Sequence, residues 1–365
     1  MKAVICFERN QPVRVEDVTL DNPRRDEVRV RLLATGVCHS DLSFVQGIVR
    51  GKVPCVLGHE GAGVVEEVGE GVTRLSPGDK VVLSWVTPCG RCFYCRIGKP
   101  NLCELGEQIN KTNRMPDGTT RVHKGELDLN VFSALGTMAE HAVVPARAAV
   151  KLPSDAPLDK CALLGCAVMT GVGAVLNTAQ VAAGSRVAVF GAGGIGLNAI
   201  QGARIANAER IIAVDAQPTK LDMARAFGAT DAVDATKVDP VEAVRGLTEG
   251  RGADYAFEAI GRKETIEQAY AATRKAGTCV VIGLGSIKES IALNVFFLPL
   301  LEKRLLGSWY GSANVHVDIP RLYELYRAGK LKLDELVTRT YSLGQINEAF
   351  ADMTAGRNAR GVVTF

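Results

Sequence analysis

The first part of the chain alternates short apolar and polar runs with the two-residue period of half-buried β-strands. EVRVRLL (27–33) places charged and apolar side chains on opposite faces. GAGVVEEVGEGV (61–72) and KVVLSWV (80–86) continue this pattern, and PGD (77–79) between them is typical of a turn. From residue 104 to 132 the chain is polar and weakly periodic, which predicts a long surface excursion. The pattern predicts a β-rich domain.

At about residue 168 the pattern changes to buried strands that alternate with helices. SRVAVFGAGGIGLNAIQGARIA is typical of a strand, a glycine turn and a helix. The alternation continues through RIIAVD (210–215), KLDMARAFGA (220–229), ADYAFEAIG (253–261), TIEQAYAATRKAG (265–277) and TCVVIGLG (278–285). Such alternation is the pattern of a doubly wound parallel sheet with crossover helices, so the fold class is α/β. After about residue 309 the chain returns to the first domain. The predicted domains are therefore 1–167 with 310–365, and 168–309.

Composition limits the kinds of partner. The chain of 365 residues is 47% hydrophobic, enough for large cores in about two domains. The 43 Lys and Arg nearly balance the 40 Asp and Glu, and a net charge of +3 is too small for a nucleic-acid-binding face. No apolar run approaches the ~18 residues of a membrane span, and MKAVICFERN lacks the pattern of a signal peptide. We therefore expect a cytoplasmic protein whose partners include neither membranes nor nucleic acid.

Four of the ten cysteines lie within TPCGRCFYCRIGKPNLC, at Cys89, Cys92, Cys95 and Cys103. In a reducing compartment, such a cluster more often binds metal than forms disulfides, although the disulfide interpretation remains open. Four thiolates complete the tetrahedral coordination of zinc and leave no position for a substrate. The spacing therefore predicts a structural zinc site, which orders a surface segment with few apolar residues.

The glycine turn GAGGIG runs from Gly191 to Gly196, between an apolar strand and a helix. Gly191 suits the tight turn, Gly193 lets the backbone approach a pyrophosphate, and Gly196 allows close helix–strand packing; Gly194 and Ile195 present amides at the helix N-terminus. Asp215 ends the next strand and can bind both adenosine ribose hydroxyls, which favours NAD over NADP. The alternative is a glycine turn in an ordinary α/β domain.

Three further motifs are scattered along the chain: GVCHSD (36–41), GHE (58–60) and LLGCAVMTG (163–171). Two cysteines and a histidine are a known catalytic zinc set, with one position left for water or substrate. Taken singly, however, each such residue is more often a buried structural cysteine or a core histidine. The spacing alone does not join them.

Resemblance joins these motifs. The order of GVCHSD, GHEGAGVVEEVGEGV, PGDKV, the four cysteines, GCAVMTG, GAGGIGL, AVD, FEAIG and RGVVTF resembles the zinc-dependent medium-chain alcohol dehydrogenases. The resemblance extends from MKAV to GVVTF. It implies a GroES-like catalytic domain built from both chain ends, a Rossmann NAD-binding domain and an active site in the cleft between them. Residues 89–103 then form a structural zinc lobe.

The resemblance also assigns roles to the catalytic domain. Cys38, His59 and Cys166 match the catalytic zinc ligands, and Asp41 matches the carboxylate that orients the histidine. Glu60 is similar to the acidic residue behind the metal, and Ser40 to the hydroxyl that contacts the substrate oxygen. Substrate-pocket positions are occupied by Trp85 and Phe132. Plain core packing remains an alternative for Phe132.

The implied cofactors are two zinc ions per subunit and NAD(H). Asp215 and Lys220 resemble adenosine-ribose contacts, and His39 and Arg360 resemble pyrophosphate contacts. Thr170, Ile260 and Leu284 match positions around the nicotinamide or its ribose, and Thr170 is also open to a packing role. The implied reaction is reversible, metal-assisted hydride transfer, in which zinc lowers the pKa of the alcohol and its carbon delivers hydride to the nicotinamide.

Departures from the family pattern bear on the substrate. Ser43 stands where many relatives have the histidine that carries the proton to solvent, so we predict that no single histidine accounts for proton exit. Val49 and Glu107 replace the Asp and Arg with which related formaldehyde dehydrogenases grip a glutathione adduct. Ser40, in place of the threonine of some relatives, leaves more room at the reacting carbon, and Trp85 takes some of it back farther out. We therefore expect primary alcohols with an extended or aromatic body as substrates. Adducts of another thiol, such as mycothiol, and a non-catalytic structural role remain alternatives. The 104–132 excursion favours a homodimer over a tetramer.

Overall fold

The computed structural model describes all residues from 1 to 365. The chain forms two compact units: residues 1–166, 314–329 and 333–365 make the first, and residues 167–313 and 330–332 make the second. No single helix is both long and apolar enough to cross a membrane; one bent pair, Leu158–Gly165 with Ala167–Ala179, meets that test by length and composition only when its two members are taken together.

Residues 1–166 contain many short strands and a few short helices. The strands are β1 (Lys2–Cys6), β2 (Arg14–Asp17), β3 (Thr19–Leu20), β4 (Glu27–Val37), β5 (Cys55–Val56), β6 (Gly61–Val68), β7 (Lys80–Leu83), β8 (Val122–Lys124), β9 (Leu127–Asp128), β10 (Asn130–Val131), β11 (His141–Pro145) and β12 (Ala149–Lys151). The helices are α1 (His39–Val45), α2 (Phe93–Arg96), α3 (Glu104–Thr112) and α4 (Leu158–Cys161).

The rest of the chain carries the longer helices. Through residue 313 the elements are α5 (Ala167–Gly173), β13 (Arg186–Phe190), α6 (Gly194–Ile205), β14 (Arg210–Asp215), α7 (Pro218–Phe227), β15 (Asp231–Asp234), α8 (Pro240–Leu247), β16 (Ala253–Glu258), α9 (Lys263–Ala272), β17 (Thr273–Val281), α10 (Phe297–Leu301) and β18 (Arg304–Gly307). The last elements are α11 (Val315–Arg327), β19 (Val337–Tyr341), α12 (Ile346–Thr354) and β20 (Arg360–Thr364).

The first unit is organised around β4. This strand belongs to a seven-stranded sheet in the order β12-β7-β6-β4-β20-β19, and β11 also pairs with β4. A four-stranded sheet, β10-β5-β1-β2, and a three-stranded sheet, β3-β8-β9, complete the unit. The alternation in EVRVRLL buries Val28, Val30 and Leu32 in one apolar core, as a half-buried strand requires.

The pairing of β4 brings three distant segments to one sheet end. In the antiparallel β4–β6 pair, Thr35 lies opposite Gly61. In the antiparallel β4–β20 pair, Val37 lies opposite Gly361. The residues just beyond these pairs are therefore neighbours, although most of the chain separates the Gly361 segment from the other two.

The segment 104–132 differs from the predicted surface excursion. It contains α3 and three short strands, and Arg121 within it is only 1% exposed. Its guanidinium donates from Nη2 to Glu27 Oε1 at 2.6 Å and to Asp117 Oδ2 at 2.7 Å. A buried ionic group paired in this way satisfies its charge internally, which a polarity pattern does not reveal.

The second unit contains a six-stranded, fully parallel sheet in the order β15-β14-β13-β16-β17-β18. This order places the first strand of the unit at the centre, which is the arrangement of doubly wound dinucleotide-binding folds. The predicted α/β fold class is confirmed. The carboxyl ends of the strands, where ligands bind in such sheets, all lie at one edge.

Candidate functional site

A buried cluster of possible metal ligands lies at the end of β4. One ligand atom from each of Cys38, His59, Glu60 and Cys166 lies within 4.8 Å of all the others. All four residues are buried, and Glu60 is fully so. The structure thus brings together three predicted ligands that come from three separate segments.

The sheet and two glycines explain this convergence. Cys38 directly follows β4, and Glu60 directly precedes β6, its neighbour. At Gly36 an added Cβ would lie 2.1 Å from Glu60 Oε2, so only glycine leaves space for that carboxylate. Cys166 follows a 3-10 turn in which a Cβ at Gly165 would lie 2.3 Å from the carbonyl oxygen of Leu83 on β7. The surroundings of the candidate cluster leave no space for a side chain at either glycine, a requirement that their motifs alone do not reveal.

Asp41 faces the imidazole of His59 as an ion-pair partner. Its Oδ1 accepts from the backbone amide of Gly58 at 2.9 Å, and its Oδ2 lies 3.1 Å from His59 Nδ1. With Nδ1 facing the carboxylate, Nε2 is the ring nitrogen available to a metal; it is buried and makes no hydrogen bond. Such a carboxylate–histidine pair holds the ring in one tautomer and orientation.

Arg360 lies in this cluster as well. It begins β20, the other neighbour of β4, and its Nη2 donates to Glu60 Oε2 at 2.5 Å; both residues are buried. Burial raises the pKa of Glu60 to about 7, while the charge of Arg360 acts to lower it. The contact places Arg360 against Glu60 from within the first unit, whereas the sequence analysis assigned it only to a pyrophosphate.

The two buried thiols differ in acidity. The hydrogen bond from Cys166 holds the pKa of Cys38 well below its usual range, and the nearby His59 charge acts in the same direction. The same hydrogen bond, together with burial, raises the pKa of Cys166. Burial acts to lower the pKa of His59, but the charges of Asp41 and Cys38 outweigh it and raise that pKa.

The donor set fits zinc. Two thiol sulfurs and an imidazole nitrogen are ligands that zinc takes in catalytic sites, where a fourth position stays open. A buried, unpartnered His59 Nε2 is costly unless a ligand such as a metal engages it.

The predicted substrate-pocket residues Ser40, Phe132 and Trp85 have different surroundings. Ser40 Oγ lies 3.7 Å from Cys38 Sγ. The ring of Phe132 meets the ring of His59 edge-on, with centroids 5.4 Å apart, and packs on Phe44 at 5.1 Å. Trp85 packs against the apolar core between β4, β6 and β7.

Val49 and Glu107, the residues expected to disfavour a glutathione adduct, have different surroundings. Val49 is partly buried against the same apolar core as Phe44 and Phe132. Glu107 is exposed on α3, where it pairs with Lys111.

The four-cysteine segment forms a second, more exposed cluster. One Sγ from each of Cys89, Cys92, Cys95 and Cys103 lies within 4.8 Å of the others. Backbone amides also point at these sulfurs, with Cys89 N 3.1 Å from Cys103 Sγ. Hydrogen bonds from the backbone amides of Cys95 and Glu104 lower the pKa of Cys92 to about 6. Four thiols and no further donor suit a closed zinc site.

In the second unit, the glycine turn has the shape of a phosphate cradle. Gly191 has a φ of +93°, which only glycine adopts easily. A Cβ at Gly196 would lie 1.7 Å from the carbonyl oxygen of Gly191. Nothing lies within 4 Å of a Cβ position at Gly193, the residue just before α6, so its backbone is open to a phosphate. A dinucleotide fits this arrangement.

Three of the other predicted cofactor residues of this unit lie at or just after the carboxyl ends of strands in the parallel sheet. Asp215 ends β14 and accepts from Ala192 N at 2.8 Å and Gln217 N at 2.9 Å, which orients its carboxylate. Ile260 and Leu284 follow β16 and β17 and are 43% and 69% exposed. Lys220 lies on α7, and Thr170 is buried on α5. His39, in the first unit, is the exposed first residue of α1.

Comparison with known proteins follows the two units. The family described as "Alcohol dehydrogenase GroES-like domain" matches residues 24–154, and "Zinc-binding dehydrogenase" matches residues 194–327. An NDMA-dependent alcohol dehydrogenase from Amycolatopsis methanolica is 41% identical over 99% of this chain and 98% of its own.

Two solved structures cover the whole chain. An alcohol dehydrogenase zinc-binding domain protein from Burkholderia ambifaria has a TM-score of 0.96 at 37% identity, over 98% of its own chain. The benzyl alcohol dehydrogenase from Acinetobacter calcoaceticus has a TM-score of 0.95 at 32% identity, over 99% of its own chain.

Proposed function

Because this chain belongs to the zinc-dependent medium-chain alcohol dehydrogenase family, we propose that it oxidises primary alcohols reversibly to aldehydes with NAD. One observation carries the proposal: the ligand atoms of Cys38, His59 and Cys166 converge in a buried cluster beside a serine hydroxyl. A non-catalytic member would not need a buried, incompletely paired ligand set, which is costly to maintain.

Cys38, His59 and Cys166 would hold one zinc, and the four cysteines of the 89–103 segment would hold a second. Zinc at the first site supplies Lewis-acid chemistry that makes an alcohol hydroxyl more acidic. Asp41 keeps the imidazole of His59 oriented, through the 3.1 Å contact. Glu60 and Arg360 form an ion pair behind the ligands, which keeps the Glu60 carboxylate beside the cluster.

Ser40 accepts the proton of the alcohol hydroxyl, because its Oγ stands next to Cys38 Sγ on the first turn of α1. The hydroxyl proton of Ser40 then leaves toward solvent. Ser43 stands where many relatives have a histidine on this path, so water carries the proton onward. The glycine turn at 191–196 holds the pyrophosphate, and the oriented Asp215 carboxylate binds the adenosine ribose. A 2′-phosphate at Asp215 would be repelled, so NAD is preferred to NADP.

The substrate body lies against aromatic carbon. Phe132 stands edge-on to His59, so an alcohol at the metal would extend along this ring. Val49 offers no charge to a polar adduct, and Glu107 repels an anionic one. We therefore propose extended or aromatic primary alcohols as substrates, and a relative named for benzyl alcohol has the same overall fold.

The test is a panel of aliphatic, allylic and benzylic alcohols, assayed for NADH formation and repeated with NADP. A second series contains NDMA, on which the activity of one relative depends according to its name. We expect benzylic and long-chain alcohols to react best, NAD to exceed NADP, and prolonged chelation to abolish turnover.

The contrary result is equally concrete. Turnover of formaldehyde only with a low-molecular-weight thiol, and of no free alcohol, would replace the proposal with a thiol-adduct dehydrogenase. Activity that survives complete removal of metal would refute the zinc assignment.

We also propose that the chain forms a homodimer through its second unit. There β18 is an open edge strand, and the preceding segment exposes large apolar side chains, including Ile287, Val295 and Phe296 at 84%, 79% and 69%. Paired edge strands would cover this surface. Light scattering on the native chain and on Phe296→Glu tests it: the variant should be monomeric, and a native monomer or tetramer would contradict the proposal.

A further inference from the structure

The turn between β1 and β2 is fastened to the end of α1. Its Asn10 amide donates to the carbonyl oxygen of Val45 at 2.9 Å. Next to it, the Arg9 guanidinium carbon lies 3.7 Å from the centroid of the Phe44 ring, and Arg9 Nη2 donates to the carbonyl oxygen of Gly51 at 2.8 Å. One arginine therefore contacts both the last turn of α1 and the segment that follows it.

Phe44 connects this contact to the cluster. Its ring packs on Phe132, and Phe132 meets His59 edge-on. Phe44 is fully buried and Phe132 is 7% exposed, so neither ring has free space in which to turn. The stack from Arg9 through Phe44 thus fixes the Phe132 ring that meets His59.

The segment 46–52 is held at both ends. At its start, the amides of Ile48 and Val49 donate to the carbonyl oxygen of Ser43 at 2.9 and 3.1 Å. At its end, Gly51 is packed so closely that a Cβ would lie 2.4 Å from Phe44 Cε2 and 2.5 Å from Asn113 Nδ2. Ile48, between these anchors, is 62% exposed. The Arg9 hydrogen bond is therefore a main restraint on the far end of an otherwise exposed segment.

We propose that Arg9 is a positioning residue that sets how well the enzyme accepts alcohols with a long or aromatic body. It holds Phe44 against Phe132 and holds the 46–52 segment through Gly51. The inference rests on the proposed function, because it requires the alcohol to bind beside His59. The smallest alcohols do not reach Phe132 and its surroundings, so Arg9 matters little for them.

The experiment uses the full-length, metal-loaded enzyme and the variants Arg9→Met, Arg9→Lys and Gly51→Ala. For Arg9→Met we expect KM for benzylic and long-chain alcohols to rise about tenfold, with kcat and the kinetics of ethanol changed less than about twofold. Hydrogen exchange of the 46–52 peptide should accelerate in the same variant without substrate. Since Arg9 Nη1 makes no hydrogen bond, one ammonium can replace the necessary donor, and Arg9→Lys should restore most of the KM.

Gly51→Ala should reproduce the Arg9→Met pattern, because its Cβ displaces the segment. The matched control is Arg14→Met, which removes an exposed arginine lying 5.4 Å over Phe7, outside this region; its kinetics should stay unchanged. An equal loss for all alcohols, or unchanged exchange in Arg9→Met, would overturn the positioning role. If the native enzyme oxidises no alcohol, the proposed function fails, and the exchange measurement still decides whether Arg9 orders the segment.

Discussion

Cys89, Cys92, Cys95 and Cys103 come from one short segment at the surface, whereas Cys38, His59 and Cys166 come from three segments and are buried. The first group is accompanied by local contacts, such as Cys89 N to Cys103 Sγ. The second group is held by β4 and the strands paired with it. The charged side chain of Asp41 also contacts it through His59, and that of Arg360 contacts the adjacent Glu60. Both sites therefore contain cysteine thiols, but one lies in a single exposed segment and the other in a buried part of the sheet.

This difference suggests that the 89–103 segment needs its metal in order to fold, whereas the buried cluster uses its metal for chemistry. The 89–103 segment has exposed apolar side chains, including Phe93 and Ile97 at 64% and 54%. It has little core, so we expect the proposed metal to supply much of its folding energy. The buried cluster lies at the end of β4, within a paired sheet that has its own apolar core, so we expect a metal bound there to serve chemistry rather than folding. Substitutions in the two sites should therefore separate stability from activity.

The largest expected effect on activity is that of Cys166→Ser. Loss of one thiolate ligand should remove the metal of the buried cluster and lower kcat/KM on the order of 10³-fold or more, because Lewis-acid stabilisation is worth several kcal/mol. The thermal midpoint should fall by only a few degrees. Metal analysis, alcohol kinetics and calorimetry on one preparation measure all three.

Cys161→Ser is the matched control for this variant. Cys161 is equally buried, on the preceding helix α4, and lies outside the cluster. It should keep both metals and most activity. Full activity and an unchanged metal content in Cys166→Ser would mean that the buried cluster is not the catalytic site.

The second expected effect, on stability, is that of Cys92→Ser. Its substitution should release the other metal and lower the thermal midpoint by about ten degrees, while kcat/KM at low temperature falls less than about tenfold. Hydrogen exchange should rise first in residues 88–104. The control Arg91→Ala removes the exposed side chain of the preceding residue. It keeps the Arg91 backbone amide, which points at Cys89 Sγ at 3.4 Å. If Cys92→Ser abolished activity while the lobe stayed protected, the two sites would have exchanged roles.

The contrast between the sites also explains what sequence could predict. The four cysteines lie in one segment, so their spacing alone predicts a metal site. GAGGIG is recognised in the same way from its place between a strand and a helix. The parallel sheet followed equally well, because each strand–helix unit is local. Cys38, His59 and Cys166 are joined by strand pairing between distant segments, which spacing does not encode; only the resemblance to a family connected them.

Contacts between charged groups were the least predictable part. The β4–β20 pairing brings Arg360 to Glu60 from the far end of the chain. Arg121 is buried in a segment that its polarity placed at the surface. In both cases an ion pair makes the burial of a charged side chain possible, and the partner is set by the tertiary fold. A hydrophobic pattern contains no information about such pairs.

The smallest effect concerns the neighbourhood of the exposed lobe. His316, on the first turn of α11, has Nδ1 3.0 Å from Arg74 Nη2 and Nε2 3.1 Å from the carbonyl oxygen of Arg147. Arg147 in turn donates to the carbonyl oxygen of Cys89 at 2.7 Å. This arrangement needs a neutral imidazole that accepts from Arg74 and donates to Arg147. The lobe is therefore linked to α11 through a histidine in one protonation state.

Burial and the Arg74 charge lower the pKa of His316. Its folded pKa thus lies below the unfolded value of about 6.5, so the unfolded state binds more protons between the two values. Stability should be complete above pH 6.5 and decline as the pH falls below it, levelling off below the folded pKa. Since Arg74 is exposed and solvent screens its charge, we expect less than about 1 kcal/mol. Denaturation of the native chain and of His316→Gln between about pH 5 and 8 measures how the free energy of unfolding of each depends on pH. Hydrogen exchange of the lobe should become faster at low pH only in the native chain. Identical pH slopes for both proteins would show that this histidine does not couple α11 to the lobe.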